Sequence, residues 1–203
     1  MVIKNNRFDS ERFVSLFELW GRKNPSYEKH FEDEVIKKLC DFGKGTNETS
    51  DSKAKVLGAG YEVLIMAFFI GLYSNKKLPL NEDWDIKDLG QPIQFWGNID
   101  SKKGRRAYPK LREYMFIALV AKTPEIDWYE LDKGRWTPSE TVNALMMTME
   151  EYINYGLTVI KDKMDEDETY FMNQNAFLNI IQDLTFPIKD AHSPNDDQPE
   201  PLD

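Results

Sequence analysis

Between Val56 and Tyr73 the chain runs for eighteen residues with a single charged group, Glu62. No other stretch constrains the fold as strongly. A helix that crosses a membrane needs about 20 apolar residues. This run carries a carboxylate inside it and is diluted by Gly58, Gly60 and Gly71. Lys53 and Lys55 precede it and Lys76 and Lys77 follow it, so its flanks give no orientation. A helix apolar on every side, yet too interrupted to span a bilayer, belongs in the middle of a core. The expectation is a buried central helix from about Ala54 to Ser74. Glu62 then sits among apolar neighbours, where a carboxylate must be paired or titrate high.

Helical signals surround this rod. Phe13, Phe17 and Trp20, with Val14 and Leu16, form an apolar stripe that Gly21 ends. Asn24-Pro25 reads as an N-cap followed by proline at the first helical position. Tyr27, Phe31, Val35 and Leu39 then recur every four residues up to Gly43. Residues 43–53 read as a polar loop and 75–104 as a long irregular region, with Ile93–Trp96 as a short extended piece. Pro109 opens a helix that runs to about Lys122. Thr123-Pro124 and Thr137-Pro138 each place a capping hydroxyl before a proline, and Glu140 completes a capping box with Thr137. Val142, Leu145, Met146, Met149, Ile153 and Ile160 make a long stripe, with Gly156 where it passes another backbone. The acids from Asp162 to Glu168 break that stripe, and a last helix, about Thr169 to Leu184, turns Phe171, Phe177, Leu178 and Ile181 inward. The segment 187–203 holds four prolines and five acids and reads as disordered. The fold class expected is all-α: one bundle-like domain of about six helices over 7–186, followed by an acidic tail over 187–203.

Composition narrows function more than it assigns it. The formal net charge is −9, which disfavours unspecific attraction to nucleic acid or anionic lipid. A lone cysteine, Cys40, permits no internal disulfide, and the first residues lack an apolar signal segment, so a cytoplasmic chain is expected. Only two histidines, His30 and His192, are present, and no His-Glu-x-x-His or Glu-x-x-His occurs. His30 and Glu34 lie one turn apart and read as a surface histidine beside an acid. No Gly-x-Ser-x-Gly marks a nucleophile. Gly43-Lys44-Gly45-Thr46 lacks the earlier glycine and the strand of a phosphate loop. The expectation is no metal, no cofactor and no membrane.

One segment departs from the acidic background. Lys102, Lys103, Arg105, Arg106, Lys110 and Arg112 place six positive charges in eleven residues without an acid. Trp96 and Tyr108 lie close in sequence. Cations with aromatic rings suit phosphates and bases, although the same cations can pair with the chain's own acids. Trp84, Trp96, Trp128 and Trp136 fall in the middle third, where large rings pin a long loop or line a cleft. The leading expectation is a non-enzymatic interaction protein that meets a polyanion or an acidic protein face through these eight residues. The alternatives are a carboxylate-based, hydrolase-like enzyme with a cleft near Glu62, and a structural subunit of a larger assembly.

Overall fold

The computed structural model of the protein describes residues 10–40, 57–97, 108 and 110–185, and the segment 187–203 and the core of the basic run lie outside them. The described chain is mostly helical. Its elements are α1 (Ser10–Gly21), β1 (Ser26–Glu28), a π-helical turn (Glu32–Ile36) that runs into α2 (Lys37–Leu39), α3 (Gly60–Ser74), β2 (Ile86–Asp88), a 3₁₀ turn (Ile93–Phe95), α4 (Leu111–Lys122), α5 (Trp128–Asp132), α6 (Pro138–Glu166), a second 3₁₀ turn (Tyr170–Met172) and α7 (Ala176–Thr185).

α3 is the apolar rod, and it is the most enclosed helix. Val63, Leu64, Ala67, Phe68 and Ile70 are fully buried. Each large side chain removed from water in this way contributes roughly 1.5–3 kcal/mol before ordering costs are subtracted. Ser74 closes the helix by donating to the carbonyls of Ile70 and Gly71, and Asn75 follows in the left-handed conformation at φ 51°. α6 packs along α3, and two glycines set the approach. A methyl placed on Gly71 would stand 2.4 Å from the carbonyl oxygen of Tyr152, and Gly156 faces Ala67 more closely still. Gly156 thus lies where its stripe passes another backbone, as its place in the pattern suggests.

α6 begins as expected. The Thr137 hydroxyl accepts from the Glu140 backbone N–H at 3.2 Å, and the Glu140 carboxylate accepts from the Thr137 N–H at 2.7 Å. Its stripe is buried from Val142 through Ile160. The helix continues through the acids to Glu166 because they lie on its solvent side and find lysines there: Lys161 pairs with Asp165, and Lys163 with Glu166 at 2.9 Å.

The mostly helical chain agrees with the all-α reading, and it adds a two-stranded antiparallel sheet that pairs Ser26 with Asp88, Tyr27 with Lys87 and Glu28 with Ile86. Several local expectations are corrected. Asn24-Pro25 therefore leads into a strand, not a helix, because the backbone of the next residues bonds across to residues 85–89. Tyr27, Phe31, Val35 and Leu39 are all buried nonetheless, through a strand, a π turn and an α turn in succession. Ile93–Phe95 is a 3₁₀ turn instead of an extended piece. The Thr123 hydroxyl does not cap forward; it donates to the Leu119 carbonyl at 2.8 Å, and Asp127 caps α5 in its place. Between α6 and α7 the chain makes a 3₁₀ turn, so Leu178 falls on the exposed side and Ile180 takes the buried position. Among the described residues, no helix is long and apolar enough to cross a membrane.

Candidate functional site

Of the eight residues singled out around the basic segment, the structure describes Trp96, Tyr108, Lys110 and Arg112. Trp96 is buried: its ring stacks on Tyr61 at 6.0 Å and its indole N–H donates to the Gln91 carbonyl at 3.0 Å. It pins the 75–97 segment. Arg112 turns inward too, donating to the Gln94 carbonyl at 2.6 Å, which fastens α4 to the 3₁₀ turn. Tyr108 is exposed, and its backbone N–H donates to the carbonyl of Gly97, a glycine at φ 69°. Lys110 is exposed in the left-handed conformation just before α4. Lys102, Lys103, Arg105 and Arg106 lie outside the described residues.

Glu62 is buried, and its carboxylate accepts from the Gly58 N–H at 2.7 Å. It closes the start of its own helix, where the free N–H groups and the helix dipole both favour a negative charge.

A groove of about 1020 Å³ opens elsewhere, where β1, the π turn, residues 78–85 and α6 meet. Its acids are Glu28, Asp33, Glu34, Asp83, Asp85 and Asp162, against Lys29 and Lys161. Phe31, Leu78, Pro79 and Trp84 give it an apolar lining, and His30 stands among them. The His30 ring lies 4.0 Å from Phe31 and meets Trp84 edge-on at 4.1 Å. Trp84 is about half exposed, 48%, so part of its face is open to a ligand.

Glu28 is the fixed point of this groove. It is 4% exposed. One carboxylate oxygen accepts from the Asn81 backbone N–H at 2.8 Å and from the Asn154 side-chain amide at 3.1 Å. Asn154 also donates to the Pro79 carbonyl, so a buried amide on α6 joins the strand to the 78–85 segment. The other oxygen of Glu28 lies 3.7 Å from His30 Nδ1. Glu150 anchors the same strand one helical turn earlier, accepting from the Ser26 N–H at 2.8 Å; its burial pushes its carboxyl above the usual carboxylate range.

Behind the wall, Glu32 accepts from Tyr27 and pairs with Lys37 at 2.8 Å and with Lys87. The two lysines hold its carboxyl down to about 2. Burial, with Glu32 alongside, pushes the Tyr27 hydroxyl far above its ordinary value. The π turn in which Glu32 lies also sets Asp33 and Glu34 against the groove. π turns are rare and recur at functional sites. Glu34 Oε2 and His30 Nδ1 are buried atoms without a hydrogen-bond partner in the fold, and both belong to groove residues. Lys161 stands 3.9 Å from Glu34, beyond hydrogen-bond reach.

Sequence reasoning noted His30, Glu34 and Trp84 separately but not Glu28. Nothing local brings residues 28 and 84 together. Among the described residues, no group of three or more His, Cys, Asp or Glu is placed to hold a metal ion. Compared with family models, with curated proteins and with solved structures, the chain matches none.

Proposed function

We propose that the protein is a non-enzymatic interaction protein, a bundle-like single domain over 7–186 with an acidic tail, and that its recognition face is the Glu28–Trp84 groove. The occupant that fits is a partner-protein segment carrying cationic and apolar side chains. One observation carries the reading: six carboxylates face two lysines around an aromatic lining. Of the six, Asp85 pairs with Lys29 at 2.9 Å and Asp33 with Lys37 at 2.7 Å. Among the described residues, Asp83 and Asp162 have no ion pair. A partly enclosed groove weakens screening, so the surplus negative charge attracts arginine or lysine, and an aromatic face adds a cation–π contact.

The test is calorimetric titration of the full chain with an alternating Arg-Leu peptide at two salt concentrations. The expected result is salt-sensitive binding that falls about tenfold or more in Asp83→Lys and Asp162→Lys. Absence of binding by the wild type removes the reading.

The basic segment remains a second contact surface in this proposal, favoured by the exposure of Tyr108 and Lys110 side by side before α4. Its partner would be a polyanion or an acidic protein face. Charge reversal of Lys102, Lys103, Arg105 and Arg106 to Glu is expected to abolish salt-sensitive binding to DNA or RNA. Wild-type protein that binds neither nucleic acid eliminates that version.

A further inference from the structure

The groove is lined by one histidine, His30, which stands beside Glu28, Phe31 and Trp84. We infer that His30 is a proton-operated regulator of the groove: its neutral form leaves the site open to a cation, and its protonated form pairs with Glu28 and competes with that cation. The inference rests on the groove being a cation-recognition site.

Three observations support it. His30 Nδ1 is buried without a hydrogen-bond partner and lies 3.7 Å from a Glu28 oxygen. Glu28 itself cannot turn away, because Asn81 and Asn154 hold its other oxygen. Trp84, the open ring of the groove, meets the imidazole edge-on at 4.1 Å, so a charge on His30 is felt at the ligand face. Histidine is the side chain whose unperturbed titration lies between about pH 5 and 8. Around it stand Glu28 from β1, Lys29 beside it, Asp33 and Glu34 from the π turn, Asp83 and Asp85 from the 78–85 segment, and Lys161 and Asp162 from α6. Acids outnumber bases in this set. A proton on His30 therefore gains a counter-charge inside the groove and removes one unit of the groove's attraction for an incoming cation. By linkage, a cation that binds expels that proton.

Two measurements on the full chain test this. The first is affinity for the Arg-Leu peptide at pH 7.5 and 5.5. A unit charge about 4–6 Å from the ligand, screened as strongly as in bulk water, weakens binding roughly threefold to sixfold. Wild type is expected to show that loss and His30→Gln to bind with little pH dependence. A His30→Gln protein with the wild-type pH slope overturns the inference. The second needs no ligand: the indole N–H resonance of Trp84, assigned by its loss in Trp84→Phe, is expected to titrate between pH 5 and 8 in wild type and to stay fixed in His30→Gln. A Trp84 signal that does not titrate in wild type overturns the switch even where peptide binding is intact. Failure of peptide binding alone, with Trp84 still titrating, counts against the groove as a cation site and not against the coupling of His30 to Trp84.

Discussion

Gly156 on α6 faces the carbonyl of Ala67 on α3 so closely that an added methyl carbon would lie 1.9 Å from the oxygen. The obstacle is backbone, which no rotamer change relieves. The two helices touch through their main chains at this point.

Gly156→Ala is therefore expected to force the helices apart. Overpacking in a tight core costs roughly 1–3 kcal/mol, and a backbone clash belongs at or above the upper end. Urea denaturation followed by helical circular dichroism measures the loss. A variant within about 0.5 kcal/mol of wild type would mean that the helices do not cross at Gly156.

Glu32 gives the fold an acid limit. Its folded-state carboxyl is held to about 2 by Lys37 and Lys87, below the ordinary value of 4.5. Stabilisation from a depressed carboxyl is present in full above the unfolded value and is lost as pH falls through the folded one. The thermal midpoint of wild type should drop as pH is lowered from about 4.5 towards 2. Glu32→Gln should be less stable at neutral pH and show a shallower drop over the same window. Equal slopes in the two proteins would show that Glu32 does not contribute the acid sensitivity.

Asn154 is expected to matter more than its size suggests. Asn154→Ala strips one hydrogen bond from buried Glu28 and one from the Pro79 carbonyl. Leaving buried acceptors short costs roughly 1–3 kcal/mol. Hydrogen exchange at the Asn81 amide, which also bonds Glu28, should speed up in the variant; unchanged protection there would separate Asn154 from the groove.

Thr137→Ala removes one half of the capping box that starts α6. The expected cost is about 1 kcal/mol, measured as a shift in the urea midpoint. No change would mean that α6 is held by packing alone.

The core was more readable in the sequence than the groove. Val63, Phe68, Met149 and Ile153 advertise themselves through apolar runs and 3.6-residue spacing, and Thr137 with Glu140 through a local motif. The sheet had no such signal: three residues at Ser26–Glu28 and three at Ile86–Asp88 are too short to show alternation, and Asn24-Pro25 imitates a helix start. Without that pairing, Trp84 has no reason to meet His30. Trp96 and Arg112 each donate to a main-chain carbonyl of the 91–94 stretch, a pairing that residue type alone does not announce.

The π turn at Glu32–Ile36 has a consequence for the groove wall. It accommodates one more residue per ring of hydrogen bonds than an α turn does. Deleting a single residue there would let the ring close to α geometry and swing the preceding chain by about 100° relative to α2. Asp33 and Glu34 would keep their chemistry and lose their bearing. The length of this one turn, and not its composition, decides whether Asp33 and Glu34 line the groove.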